Sequence, residues 1–220
     1  MASLTSSTIG RKYAMALSAM FLLFFLVMHM STNLTSVFSE DVFNQASHFM
    51  GYNPMVQYLM QPILMFAVIF HFVMGFVLEI KNNKARPVKY ANNNGAANSS
   101  WMSRNMIISG AVVLAFLVLH FYDFYFPEMN YKYIQANTPD ETRYWAELHH
   151  KFHDIWRVVL YVISFGLLGL HLAHGFQSSF QSVGARHPKY TPVIKAFGNW
   201  YSILIPLGFI FIAIFHYVTQ

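Results

Sequence analysis

The chain contains no cysteine, which closes off disulfides, thiolate zinc sites, cysteine-held iron–sulfur clusters and the C-x-x-C-H attachment of a covalent haem. Any metal must therefore be held by histidine, methionine or carboxylate. Charge is scarce as well: Asp, Glu, Lys and Arg make up 10% of the 220 residues, and no carboxylate falls in the middle of a long apolar run. Low-complexity tracts and lipidation signals are missing too. Against these absences, 55% of the residues are hydrophobic and the mean hydropathy is +0.37, too apolar for a soluble domain of this length. The chain reads as an integral membrane protein whose solvent is the lipid bilayer. Its net charge of +5 and pI near 9.4 do not indicate nucleic acid, because the basic residues are scattered over loops beside apolar segments, where they orient a membrane protein.

Five stretches are long enough to cross a bilayer, which takes roughly 20 mostly apolar residues at about 1.5 Å rise each. They run over about 13–36, 57–80, 105–126, 155–178 and 199–218. The expected fold is an all-α bundle of five transmembrane helices, one integral membrane domain over residues 1–220. Polar turn formers separate the spans, among them residues 92–95 and 98–100 in the 81–104 loop, and Gly184, Pro188 and Pro192 in the 180–198 loop. Of fourteen Lys and Arg, ten lie on one side: Arg11 and Lys12, then Lys81, Lys84, Arg86, Lys89 and Arg104, then Arg186, Lys189 and Lys195. The positive-inside rule makes the amino terminus cytoplasmic and puts Gln220 outside. Arg11-Lys12 ahead of an apolar run also resembles the start of a signal peptide. That run continues to about Val37 with no small-x-small cleavage site after it, so it is read as a span.

Four spans each carry a histidine inside the apolar run: His29, His71, His120 and His171. An imidazole in hydrocarbon needs a partner, because leaving its nitrogens unpaired costs several kcal/mol, on the order of any buried polar group. One such residue is readily satisfied by a neighbouring carbonyl; four at matched depths ask for a shared explanation. The first and third spans run outward and place His29 and His120 about 23 Å from the inner ends at helical rise. The second and fourth run inward and place His71 and His171 roughly 10 to 14 Å from the inner boundary. The depths give two facing pairs, His29/His120 near the outer face and His71/His171 near the inner one, which suggests axial ligands for two haems stacked inside the bundle.

Gly75 and Gly175 each follow an inner histidine by four residues, on the same helix face one turn away. They would give a flat macrocycle clearance, or simply let helices approach closely. His174 lies close enough to His171 to serve in its place. His216, with no depth-matched partner, reads as interfacial, and His48, His149, His150, His153 and His187 read as solvated loop or helix-end residues.

At this point the chain resembles a known family: the single-subunit, five-helix, di-haem cytochrome b membrane anchor of succinate dehydrogenases and fumarate reductases that use menaquinone. The matching runs are Phe43-Asn44-Gln45-Ala46-Ser47-His48-Phe49-Met50, Ile69-Phe70-His71-Phe72-Val73-Met74-Gly75 and His171-Leu172-Ala173-His174-Gly175-Phe176-Gln177-Ser178. With His29 and His120 they extend the resemblance over essentially the whole chain. No run is specific alone; their order and spacing are.

The resemblance implies two b haems with His29, His71, His120 and His171 as ligands, favouring His171 over His174. It implies flavoprotein and iron–sulfur partner subunits on the cytoplasmic side of a bacterial inner membrane, and menaquinone as the exchangeable substrate. In that setting the chain carries electrons and performs no substrate chemistry itself. Asp123, His48 and His174 are the protonatable candidates beside a quinone, with the outer group of Asp123 and His48 preferred because carboxylate and imidazole together can exchange protons near neutral pH. An acid at such an interface can equally be merely solvated. One departure stands out: a branch of the family carries a proton-transferring glutamate two residues before the fourth-helix ligand, and this chain has Gly169 there. The competing reading is a histidine-lined proton or metal transporter without haem, which would be expected to show broken helices or paired acids at mid-depth.

Overall fold

The structure is a computed structural model that describes residues 7–85 and 101–220. The turn formers at 92–95 and 98–100 and the cations Arg86 and Lys89 lie outside the described residues. Among the described residues five helices are long and apolar enough to span a membrane: α1 (Thr8–Phe38), α3 (Val56–Lys84), α4 (Met106–Ile134), α6 (Ile155–Ser182) and α7 (Thr191–Val218). Two shorter helices, α2 (Glu40–Tyr52) and α5 (Arg143–Lys151), lie between spans at the end of the bundle remote from the amino terminus. That end is called the far end below, and the end carrying Lys12, Lys81 and Lys189 the basic end.

Helix boundaries follow local chemistry. Ser7 caps α1 by accepting the Gly10 N–H at 2.8 Å, and Asp154 caps α6 by accepting the Trp156 N–H at 3.0 Å. Gly184, at φ +84°, ends α6: the Ala185 N–H reaches back to the Phe180 carbonyl and the Gly184 N–H to Gln181, the paired bonds of a left-handed helix stop. The loop to α7 is consequently shorter than the 180–198 expected from polarity. The third span also outruns its expected end at 126. Around Phe121–Tyr125 the helix widens to an i+5 turn in which the Phe126 N–H donates to Phe121, and it carries Pro127 through to Ile134.

α2 and α5 stand where loops were expected. Ser39 caps α2 through the Val42 N–H, and Glu40 and Asp41 occupy its first turn, where negative charge suits the helix dipole. Buried Asn44 joins the two short helices: its amide donates to the Thr142 carbonyl at 3.1 Å and accepts the Trp145 N–H at 2.7 Å.

Helices α1, α3, α4 and α6 form a ring, each touching the next, and α7 packs outside it against α6 and α1. The densest seam is α6 on α7. Val158, Tyr161, Phe165, Leu168, Leu172 and Phe176 recur every three or four residues along α6, and Tyr201, Ile205, Phe209, Ile212 and Ala213 face them from α7. Two glycines permit that closeness. A Cβ on Gly198 would stand 2.6 Å from the Phe176 ring, and one on Gly169 would stand 3.0 Å from the Ser202 carbonyl oxygen. That carbonyl is special because its i+4 donor would be residue 206, a proline with no N–H, so Gly169 backs onto an oxygen that lacks its regular helical partner.

Candidate functional site

The ring of four helices brings the depth-matched histidines side by side. His29 of α1 and His120 of α4 have ring centres 5.7 Å apart at an 85° interplanar angle. His71 of α3 and His171 of α6 are 6.5 Å apart at 72°. Both pairs are half-buried and each bridges two helices. Ser18 of α1 lies 3.2 Å from His71 Nδ1, and His29 is eleven residues farther along the same helix, so the two levels are about 16 Å apart at helical rise.

The levels differ in surroundings. At the level nearer the far end aromatic rings crowd the imidazoles: Phe25 stacks on His29 at 5.2 Å and Phe209 lies 5.6 Å away, while Phe116 and Phe124 flank His120 at 5.7 and 5.3 Å. Asn33 Nδ2 is 3.5 Å from His29 Nδ1 but spends its better bond, 2.8 Å, on the His29 carbonyl. His120 Nδ1 is buried with no partner among the described residues. At the level nearer the basic end both Nδ1 atoms meet serine: Ser18 for His71, and Ser109 of α4 for His171, each at 3.2 Å. Sequence reasoning did not single out either serine. The available signal was spacing, since Ser18 precedes His29 and Ser109 precedes His120 by the same eleven residues.

Asp123 is placed otherwise than a solvated interfacial acid. It is 1% exposed, accepts the Tyr161 hydroxyl at 2.8 Å and pairs with Arg157 at 3.2 Å, while its other oxygen, Oδ1, has no partner among the described residues. Tyr161 also stands 6.4 Å from the His120 ring, which links this carboxylate cluster to the His29/His120 pair. His48 belongs to a different group. It stacks on Tyr52 at 4.6 Å and reaches Glu141 at 3.6 Å, beside a network in which Lys132 and Arg143 both pair with Glu128. Burial opposes the Arg143 charge, but its bonds to Glu128 and Glu147 push its pKa up overall; burial and then Glu128 push the Tyr144 and Tyr52 hydroxyls up. Asp123 and His48 therefore share no partner, although both lie toward the far end. His174 is half-buried one turn nearer the basic end than His171.

His216 corrects the sequence reading most clearly. Expected at the interface, it is 0% exposed, with Nε2 at 2.9 Å from Ser36 Oγ and Nδ1 at 3.1 Å from His149 Nδ1. The partner comes from α5, which folds back over the bundle and was not expected as a helix. Trp145 of α5 stacks on His149 at 4.6 Å and donates its indole N–H to the Ser36 carbonyl at 2.9 Å.

Among the described residues no three of His, Asp and Glu converge as a free metal ion would require. What the ring offers is two-point imidazole ligation, the donor set of a bis-histidine haem. Two metal–nitrogen bonds of roughly 2 Å, together with the radii of the rings, would set ring centres about 6 Å apart, which the observed 5.7 and 6.5 Å bracket. The glycines agree. A Cβ on Gly75 would meet only Met15 Cε at 3.7 Å, and one on Gly175 only Met106 Cε at 3.6 Å, both flexible thioether ends at ordinary contact. Close helix approach explains Gly169 and Gly198; it does not explain these two. No protein-family model, curated protein or solved structure matches the chain.

Proposed function

We propose that the chain is a di-haem cytochrome b membrane anchor of the succinate dehydrogenase/fumarate reductase type, carrying electrons between a soluble iron–sulfur subunit and membrane menaquinone. The observation that carries this is the pair of imidazole pairs, His71/His171 and His29/His120, at two levels of one four-helix ring. Bound haem would supply a one-electron centre at each level. The chain's own part is to bind and to insulate. The four histidines are the ligands, Gly75 and Gly175 leave room beside the inner pair, and Phe25, Phe116, Phe124 and Phe209 keep water from the outer pair. The two levels, about 16 Å apart, divide a hydrocarbon core of about 30 Å that one centre would not bridge.

In this reading the basic end faces the cytoplasm of a bacterium and receives the iron–sulfur and flavoprotein subunits, with Lys12, Lys81, Lys84 and Lys189 presented there. The Asp123–Tyr161–Arg157 cluster beside His120 is the proton-exchanging group for quinone at the far end, with His48 or His174 as rivals. The test is a reduced-minus-oxidised spectrum of the purified chain with haem counted per polypeptide, followed by redox titration of histidine variants. Two haems are expected, with His71→Ala and His171→Ala removing one component and His29→Ala and His120→Ala the other. A chain that takes up no haem would be read as a histidine-lined transporter instead. Variants of His71 and His120 that lose the same component would overturn the pairing.

A further inference from the structure

The hydroxyls beside the inner pair each have a backbone carbonyl as well as an imidazole within hydrogen-bond reach. Ser18 Oγ donates to the Met15 carbonyl at 2.8 Å, and Ser109 Oγ donates to the Met106 carbonyl at 3.0 Å, the local backbone bond that serine makes inside helices. A hydroxyl has one proton and two lone pairs. With that proton on the carbonyl, each serine accepts from the imidazole that faces it, the arrangement in which Nδ1 of His71 and of His171 carries the hydrogen. Both Nε2 atoms then keep a free lone pair. The outer pair lacks this arrangement, since His120 Nδ1 has no partner among the described residues and His29 Nδ1 faces an amide NH2.

The same constellation is built twice. Met15, Ser18 and His29 on α1 recur as Met106, Ser109 and His120 on α4 with identical spacings of three and eleven residues. His71 with Gly75 on α3 recurs as His171 with Gly175 on α6, again with identical spacing. The contacts recur as well: each serine bonds the histidine of the neighbouring span, and each methionine methyl lies against the glycine one turn beyond that histidine. Two incidental serine–histidine contacts would not share so much. The repeat relates helices running the same way, so its axis lies along the bundle and each histidine pair takes one member from each half.

We propose that Ser18 and Ser109 are positioning residues: they fix His71 and His171 as Nδ1–H tautomers, aim their Nε2 lone pairs into the bundle and raise their basicity as ligands. This rests on the reading of the inner pair as haem ligands. A ligating imidazole whose distal N–H is hydrogen-bonded is the better donor to ferric iron, and losing such an outer-shell partner typically weakens metal affinity about 10- to 100-fold.

The experiment uses the full chain with Ser18→Ala, Ser109→Ala, the double variant and the conservative Ser18→Thr and Ser109→Thr, reading haem per polypeptide and the midpoint of each haem. Each alanine variant is expected to move the inner component alone to more positive potential. A tenfold loss of ferric over ferrous preference corresponds to about 59 mV for a one-electron couple. The double variant should move it farther or release the inner haem, and threonine should restore the wild-type value. An unmoved inner component, an equal shift of the outer one, or threonine variants as impaired as alanine would overturn the proposal. A wild-type chain without haem would instead remove the reading beneath it, and a two-haem spectrum from the wild type separates those failures.

Discussion

Asp123 carries the sharpest energetic prediction, because its carboxylate is fully buried inside a span, at the wide turn of α4, and has two partners. Replacing Arg157 with methionine keeps the aliphatic stem but removes the cation, leaving the acid with only the Tyr161 hydroxyl. Breaking a fully buried ion pair costs about 3–5 kcal/mol, whereas an exposed pair is worth at most about 1 kcal/mol. The Arg157 side chain is 26% exposed and the Asp123 side chain 0%, so the pair is partly screened and a loss of about 2–3 kcal/mol is expected. Asp123→Asn alone loses charge-assisted bonds and should cost about 1–3 kcal/mol. Once asparagine is present, however, Arg157→Met removes a cation that has no anion left. The double variant should therefore cost less than the sum of the singles by about 2 kcal/mol. The assay is helix content followed through an unfolding titration of the purified protein in mixed micelles. Singles that add within about 0.5 kcal/mol would show that the two groups do not interact and refute the argument.

Four further outcomes follow from other contacts. Burial, and then His153, hold the His149 pKa below its ordinary value while Glu40 opposes them, so the folded state binds fewer protons than the unfolded one; docking of α5 should be strong above pH about 6.5 and weaken as pH falls below it, read as rising hydrogen exchange over 143–152 and abolished in His149→Ala. Gly198→Ala should cost about 1–3 kcal/mol by forcing the Phe176 ring aside, even after about 1 kcal/mol of helix propensity is regained, in the same unfolding titration. Gly75→Ala and Gly175→Ala meet no such obstacle and should leave the haem-free chain as stable or more so while lowering its haem content; unchanged haem content would refute the clearance argument. Asn44→Ala should detach α2 from α5 by removing bonds to the Thr142 carbonyl and the Trp145 N–H, seen as faster proteolysis between 40 and 52.

The spans were legible because a bilayer imposes a length and a polarity that few other constraints override, and depth along those spans was enough to pair His29 with His120 and His71 with His171. Legibility failed where a partner comes from outside the periodic pattern. His216 was read from its own helix alone, yet its environment is made by Ser36 and by His149 on a short helix that folds back. The signals for the short helices were local, a Ser39 cap followed by Glu40 and Asp41, and were outweighed by the polarity of the surrounding loop. Asp123 was placed by depth near an interface, but Arg157 and Tyr161 reach it from the start of the next span, a contact set by helix rotation that composition does not encode. The wide turn at Phe121–Tyr125 is similarly invisible, because an i+5 turn has no composition of its own.

The meeting of Gly169, Ser202 and Pro206 bears on what this bundle could become. A carboxylate side chain at position 169 is one substitution away in sequence but not in space, since even a first carbon would press on a backbone oxygen that cannot retreat without moving all of α7. Acquiring an acid there would require a residue with an N–H at 206 to draw the Ser202 carbonyl back into its helix, and then a wider gap along the tightest seam of the molecule. The route to a mid-membrane acid at this place therefore runs through an intermediate that is worse packed than either end, and it is the packing of α7 that closes the position to a side chain.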